Sequence, residues 1–410
     1  MKVTGLIAEY NPFHTGHLFH IETSRQLSHA DFILVIMSGD FVQRGTPALL
    51  DKYTRAEMAL LCGADAVIEL PVCFSCASAE SFAYGAVSLF DQLGVTNFLS
   101  FGSECGNLSL LQSAAEFLIK ESSDFQKKIR HNLKHGISYP AARANAFLES
   151  YTSYFGDISP QEIVSLLSKP NNILGLEYLK ALKNIQSNIL PLTFPRQEAG
   201  YHDKQLYPTF ASATALRNTL LSYNLEAIQS YIPKAAFSVL EREYQRSFPI
   251  LADDFSLPLY YKIRSDIEKG ISLSSYQDIS PELEARIFNK QNRFTSFESF
   301  ALLLKTKQYT LTRINRCLLH ILLDIKKTAF CPPLYARLLG FRKSSSALLT
   351  AMKKNSSIPI ITKTADVKYL PHSSLFEQDL FAADLYRKTQ EFKFHTTLAD
   401  EFTHPIIILP

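Results

Sequence analysis

Two histidines three residues apart, His14 and His17, flank Gly16 in the stretch VTGLIAEYNPFHTGHLFH, residues 3–20. Imidazoles at that spacing on a first helical turn face one spot. There their N–H groups can donate to phosphate oxygens as charge builds up in phosphoryl chemistry. Gly16 leaves room where a phosphate has to come close. The same four residues also suit an ordinary loop end with two surface histidines, so context decides. A second chemical set lies far downstream, in Ala211-Ser212-Ala213-Thr214-Ala215-Leu216-Arg217. Ser212 is placed to cap a helix, which puts the Thr214 hydroxyl and the Arg217 guanidinium in its first turns, suited to terminal phosphates of a nucleoside triphosphate. Standing alone, that stretch reads as a plain capped helix. Cys73 and Cys76 form a CxxC, but no second pair or nearby His completes a zinc set, so small buried residues are expected.

The elements around the histidines supply the context. Val3 to Ala8 is a short apolar run of the kind that forms a strand buried on both faces. The polar turn Glu9-Tyr10-Asn11-Pro12 follows, and a helix is expected from His17 to Ser28. A strand feeding a helix through a glycine-bearing turn gathers free N–H groups and the positive end of the helix dipole, a ready phosphate site. Further strands are expected at 31–37, 66–70, 96–101 and 188–194, with helices at 52–61 and 78–93 between them. Alternation at this spacing predicts βαβ units, an α/β fold and a parallel sheet. Ligands in such sheets sit beyond the carboxyl ends of the strands. The loops Asn11–His17, Ser38–Arg44 and Gly102–Glu104 all leave those ends.

The chain has 410 residues, enough for two or three domains, with 46% hydrophobic and 20% charged residues. No leader-like segment and no bilayer-length apolar run is expected, and six scattered cysteines fit reduced thiols in the cytoplasm. Residues 108–167 read as several helices. Beyond about residue 220 the pattern turns helical, apart from the apolar 405–409. The expected partition is a catalytic domain over 1–235 and a mainly helical, basic domain over 236–410. Net charge is only +3, but eleven Lys/Arg stand against the single acid Asp324 between Lys305 and Lys354. Arg313, Arg316, Lys326 and Lys327, interleaved with Tyr309, Phe330, Tyr335 and Phe341, are candidates for contacts to an RNA backbone and unstacked bases.

HxGH after the first strand and S-x-T-x-x-R after the last resemble the HIGH-type nucleotidyltransferase superfamily, whose catalytic domain is Rossmann-like. The segments EYNPFHTGH, MSGDFVQRGTPA, RAEMALLCGADAVIELP, FGSE, KPNNILGLEYLKAL and ASATALR together resemble the bacterial tRNA(Met) cytidine acetate ligase family. That resemblance implies ATP-dependent activation of acetate as acetyl-adenylate, then transfer of the acetyl group to N4 of the wobble cytidine of elongator tRNA(Met), giving N4-acetylcytidine. It implies catalytic roles for His14, His17 and Arg217, with Mg²⁺ assisting. It further implies ATP contacts at Leu6, Ile7, Ala8, Glu9, Tyr10, Asn11, Pro12, Phe13, His14, Thr15, Gly16, His17, Leu18, Phe19 and His20, and at Gly102, Asn171, Arg196, Ser212 and Thr214. Two positions depart from the family pattern: Thr15 stands where Asn is common and Ala211 where a serine is frequent. A small-molecule adenylyl- or cytidylyltransferase shares the phosphate motifs but needs no basic helical half. An RNA-binding protein with a dead nucleotide fold needs no intact His14, His17 and Arg217.

Overall fold

The computed structural model describes residues 1–120, 123–135, 137, 139–151, 159–196, 213–222, 224–327, 331–369 and 374–410. Its centre is a sheet whose first strands are β1 (Val3–Ala8), β2 (Phe32–Ser38), β3 (Ala66–Leu70), β4 (Phe98–Ser103) and β5 (Leu190–Pro195). The helices α1 (Thr15–Ser28), α2 (Lys52–Leu61) and α3 (Ala79–Leu93) connect the first four. Between β4 and β5 come α4 (Leu108–Ile119), α5 (Ser123–Lys134), α6 (Tyr139–Tyr151), α7 (Pro160–Ser168) and α8 (Pro170–Asn184). These five strands pair in parallel in the order β3-β2-β1-β4-β5. The chain thus works outward from β1 to β3, then crosses back to β4 on the other side of β1. A crevice opens where that direction reverses. β1 and β4 pair only at Thr4–Phe98 and Gly5–Leu99, so their carboxyl ends part.

The parallel strands are apolar because helices cover both faces. Ile33 to Met37 and Ala66 to Ile68 are fully buried. Gly5 admits the Phe90 ring of α3, since a Cβ there would lie 2.7 Å from it.

Past α9 (Ala213–Leu221) the chain is largely helical, as expected, but the sheet does not stop there. β6 (Ala336–Arg342) pairs antiparallel with β3, and β7 (Ile407–Leu409) pairs parallel with β6; with the short strand Ile360–Ile361 the sheet has eight strands. The expectation of a strand-poor second half missed 336–342, whose Arg337 and Arg342 disguise a buried run. The helical part includes α10 (Leu311–Leu322) and α11 (Ser374–Phe394) and has its own core, which Phe41, Val72 and Cys76 of the first half also enter.

Candidate active site

A cavity of about 210 Å³ fills the crevice. Ile7, Ala8 and Glu9 from the end of β1 and Phe101 and Gly102 from the end of β4 line it, as do Gly16, His17, Phe19 and His20 of α1. The loop after β2 adds Gln43 and Arg44, and α8 adds Asn171, Leu174 and Tyr178. The three loops expected at one sheet edge therefore do converge. Four aromatic rings, Phe82, Phe101, Tyr178 and Phe194, line it together with Arg44 and Arg196, and Phe194 and Arg196 both reach Gly102.

The head of α1 is built by its histidines. The helix begins at Thr15, two residues earlier than expected, because His14 itself is the N-cap. The backbone N–H of Gly16 donates to His14 Nδ1 at 3.0 Å, and the N–H of His14 donates to His17 Nδ1 at 3.3 Å. This reciprocal bonding is a capping box made of two imidazoles instead of a hydroxyl and a carboxylate. The rings stack with centroids 3.8 Å apart. Gly16 is required here by the His14 ring, since a Cβ would sit 2.9 Å from its Cε1.

With each Nδ1 accepting, the neutral rings carry their proton on Nε2. Neutral they are. Burial, then Arg196 and Arg217 nearby, hold His14 down at about 3. Burial and the neighbouring His14 hold His17 well below the usual range. Burial also lowers His20 to about 4; its Nε2 meets the Ser100 carbonyl at 3.2 Å. The pair is a set of uncharged N–H donors in a cationic surrounding, suited to phosphate charge without competing for its protons.

The remaining residues expected at the site divide. Arg196 Nη1 donates to Asn171 Oδ1 at 2.7 Å, and the Arg196 stem lies on Gly102, where a Cβ would be 2.9 Å away. Glu104 fixes this corner by accepting from the N–H groups of Asn171 and Asn172 and from Asn171 Nδ2. Arg217 donates to the Asn11 carbonyl at 2.9 Å and to Thr214 Oγ1 at 3.0 Å, which ties α9 to the β1–α1 turn. Neither Thr214 nor Arg217 is among the cavity-lining residues. Ser212, like Ala211, lies outside the described residues.

Within residues 6–20, seven side chains or backbones line the cavity and the others support it. Leu6, Tyr10 and Phe13 are buried in the core beneath the turn. The edges of Tyr10 and Phe13 pack against His17, with centroids 4.9 and 5.5 Å away. Tyr10 holds a φ of 51°, uncommon for its type, and is locked there by burial. Asn11 Oδ1 accepts from Leu49 N–H. Pro12 is buried, while Thr15 and Leu18 are half-buried.

Several positions carried no signal in the sequence reading. Arg55, wholly buried, donates to the carbonyls of Glu9, Ser38, Gly39 and Leu50, clamping the ends of β1 and β2. Behind it Lys52 lies 2.9 Å from Glu69 and 3.1 Å from Glu401, and Arg337 pairs with the same two carboxylates. Burial raises Asp40 to about 7 beside them. A buried lysine within a helix of otherwise core character was the available clue. Cys73 and Cys76 are free thiols, raised by burial, and no group of three or more His, Cys, Asp or Glu among the described residues is placed to hold a metal.

The basic set gathers around one loop. Arg313 donates to the Asp278 carbonyl, Arg316 pairs with the Asp278 carboxylate at 3.2 Å, and Lys327 donates to the Ile279 carbonyl. Lys326 sits 3.4 Å over the Tyr276 ring. The loop lining the cavity packs on the same helix, for Gly45 meets the backbone of Arg316 directly.

Comparison with known proteins agrees with this geometry. Residues 1–400 match the HIGH Nucleotidyl Transferase family. The chain is 40% identical over 414 residues to the tRNA(Met) cytidine acetate ligase of Thermoanaerobacter sp. (strain X514), covering 100% of both, and 37% identical over 423 residues to that of Acetivibrio thermocellus, again covering 100% of both. It superposes on the crystal structure of apo Thermotoga maritima TmcAL with a TM-score of 0.91 at 33% identity. On the same protein bound with alpha-thio ATP the TM-score is 0.89 at 32% identity; each comparison covers 100% of both chains. No helix among the described residues is long and apolar enough to cross a membrane. Fold, crevice and sequence together place the chain in the tRNA(Met) cytidine acetate ligase family of HIGH nucleotidyltransferases.

Proposed function

We propose that the chain binds ATP in the β1–β4 crevice, joins it to acetate, and acetylates N4 of the wobble cytidine of elongator tRNA(Met). The observation that carries this reading is the stacked, neutral His14–His17 pair heading α1 beside Arg196. An acetate oxygen attacks the α-phosphate, and the α–β bridging bond breaks to release pyrophosphate. Nε2–H groups of His14 and His17 stabilise the charge gathering on phosphate oxygens, and Arg196 and Arg217 add positive potential. The cytidine N4 amine then attacks the acetyl carbonyl, loses a proton, and AMP departs. The aromatic rings lining the cavity suit a base ring. Asn171, Gly102 and the backbone of 6–20 hold the nucleotide, with Ser212 and Thr214 toward its terminal phosphates.

Glu9, the single carboxylate among the lining residues, would hold Mg²⁺ at the nucleotide, where the ion would neutralise phosphate charge. Arg313, Arg316, Lys326 and Lys327 contribute to the RNA surface. Six free thiols suit a reducing cytoplasm. Radiolabelled acetate is expected to enter tRNA only with ATP present, with AMP and pyrophosphate as co-products. Formation of ADP and phosphate, or labelling from acetyl-coenzyme A alone, rejects the adenylate route.

A further inference from the structure

We propose that the solvent face of α5 is an RNA-backbone surface of this enzyme, a reading that rests on the tRNA substrate proposed above. The helix sequence SDFQKKIRHNLK is strictly two-faced. Phe125 and Ile129 are buried, and Leu133 packs against the same core. Lys127, Arg130, His131 and Lys134 stand exposed on the other side, at the i, i+3, i+4, i+7 spacing that lines up one helical stripe.

Charge runs are usually only solvated faces, so partners decide. Elsewhere in the molecule dense cations are answered by carboxylates. Arg242 meets Glu57 and Glu243, Lys262 meets Asp266 and Asp324, and Arg387 meets Asp384 and Glu391. On α5 only Lys128 turns to an acid, Asp124 at 3.5 Å. Lys127, Arg130 and Lys134 meet no carboxylate among the described residues. The helix dipole explains a cation in the last turn, such as Lys134. It gives no reason for Lys127 near the N-terminal end.

Position makes the stripe useful. α5 and α6 are antiparallel neighbours, with Lys128 Nζ reaching the Glu149 carbonyl and Asn132 Nδ2 the Ala142 carbonyl. Their corner lies at the level of Arg143, which is 3.7 Å from Glu177 of α8. The next residue, Tyr178, lines the nucleotide cavity. The α5–α6 pair is thereby joined to a helix that lines the site. An RNA whose anticodon enters the crevice passes its neighbouring phosphates along the stripe.

The test is the full-length K127Q/R130Q/K134Q variant, with tRNA affinity measured between about 50 and 200 mM salt. Affinity is expected to fall about tenfold or more, and the log–log salt slope to become shallower by about 2 to 3. Acetate-dependent ATP–pyrophosphate exchange without tRNA is expected to stay unchanged, which shows that the crevice is intact. The charge-keeping K127R/R130K/K134R variant is expected to retain affinity and slope. Unchanged tRNA affinity in the neutralised variant overturns the surface alone. If the unaltered chain binds no tRNA, the substrate reading fails and this surface with it.

Discussion

Two charge-rich regions lie on either side of β1 and β2, and they treat charge in opposite ways. Beside β3, Lys52, Arg337, Glu69 and Glu401 answer one another within a buried network. In the crevice, Arg44, Arg196 and the lowered His17 and His20 share the lining with a single carboxylate, Glu9, and the lowered His14 stacks on His17 outside that lining. The first arrangement pairs its charges within the chain, so its value is structural. The second gathers guanidinium groups and uncharged N–H donors around a cavity, an arrangement suited to an anionic ligand.

Breaking the paired network gives the largest expected loss of stability. Lys52→Met leaves Glu69 and Glu401 with Arg337 as their one cationic partner in the network and is expected to remove about 3–5 kcal/mol in a denaturant titration. A change under about 1 kcal/mol would mean that the network is not a unit. In the crevice the damage is expected to be chemical. His17→Ala should cost about 3 kcal/mol in the barrier of acetate-dependent ATP–pyrophosphate exchange, a loss of a hundredfold or more. His14→Asn can still cap α1 and is expected to melt near the parent temperature while losing exchange similarly. Near-normal exchange in either variant would remove the histidines from the mechanism.

Acid sharpens the comparison further. The unfolded chain protonates His14 near pH 6.5, whereas the folded one resists down to about 3. The unfolded state therefore binds more protons between these values, and stability falls as pH drops from 6.5 toward 4. Asp40, held up at about 7, acts in the opposite sense, adding stability that is lost as pH rises from 3.8 toward 7. Comparing parent with His14→Asn cancels Asp40, and the variant's stability is expected to fall less steeply from pH 6.5 to 4. Parallel curves would contradict the buried, neutral ring. The smallest effect belongs to Lys327→Gln, which should weaken tRNA binding severalfold at most and reduce the salt slope by about 1.

Legibility followed locality. The parallel strands and the convergence of three loops were readable because each βα unit carries its own apolar run and turn. The head of α1 was misplaced by two residues, since a histidine capping box lies outside the usual Ser, Thr, Asp and Asn signals. β6 was missed because Arg337 and Arg342 interrupt a run buried by partners far away in sequence, such as Ala66 opposite Phe341. The clamp of Arg55 on four carbonyls was invisible for the same reason, since its partners assemble only when β1 and β2 lie side by side. The bare stripe of α5 passed unremarked because its meaning depends on which cations found carboxylates.

Gly45 has a reach beyond its own turn. Its φ of 78° and missing side chain let the loop carrying Gln43 and Arg44 rest backbone-to-backbone on α10, with no flexible spacer between them. That helix also carries Arg313 and Arg316. Nucleotide and tRNA would then act on the two sides of one stiff joint, and thermodynamic reciprocity follows. Whatever factor tRNA applies to ATP affinity through this joint, ATP must apply to tRNA affinity in equal measure. Gly45→Ala, which wedges the joint apart, is expected to change that factor equally in ATP affinity compared with and without tRNA and in tRNA affinity compared with and without ATP.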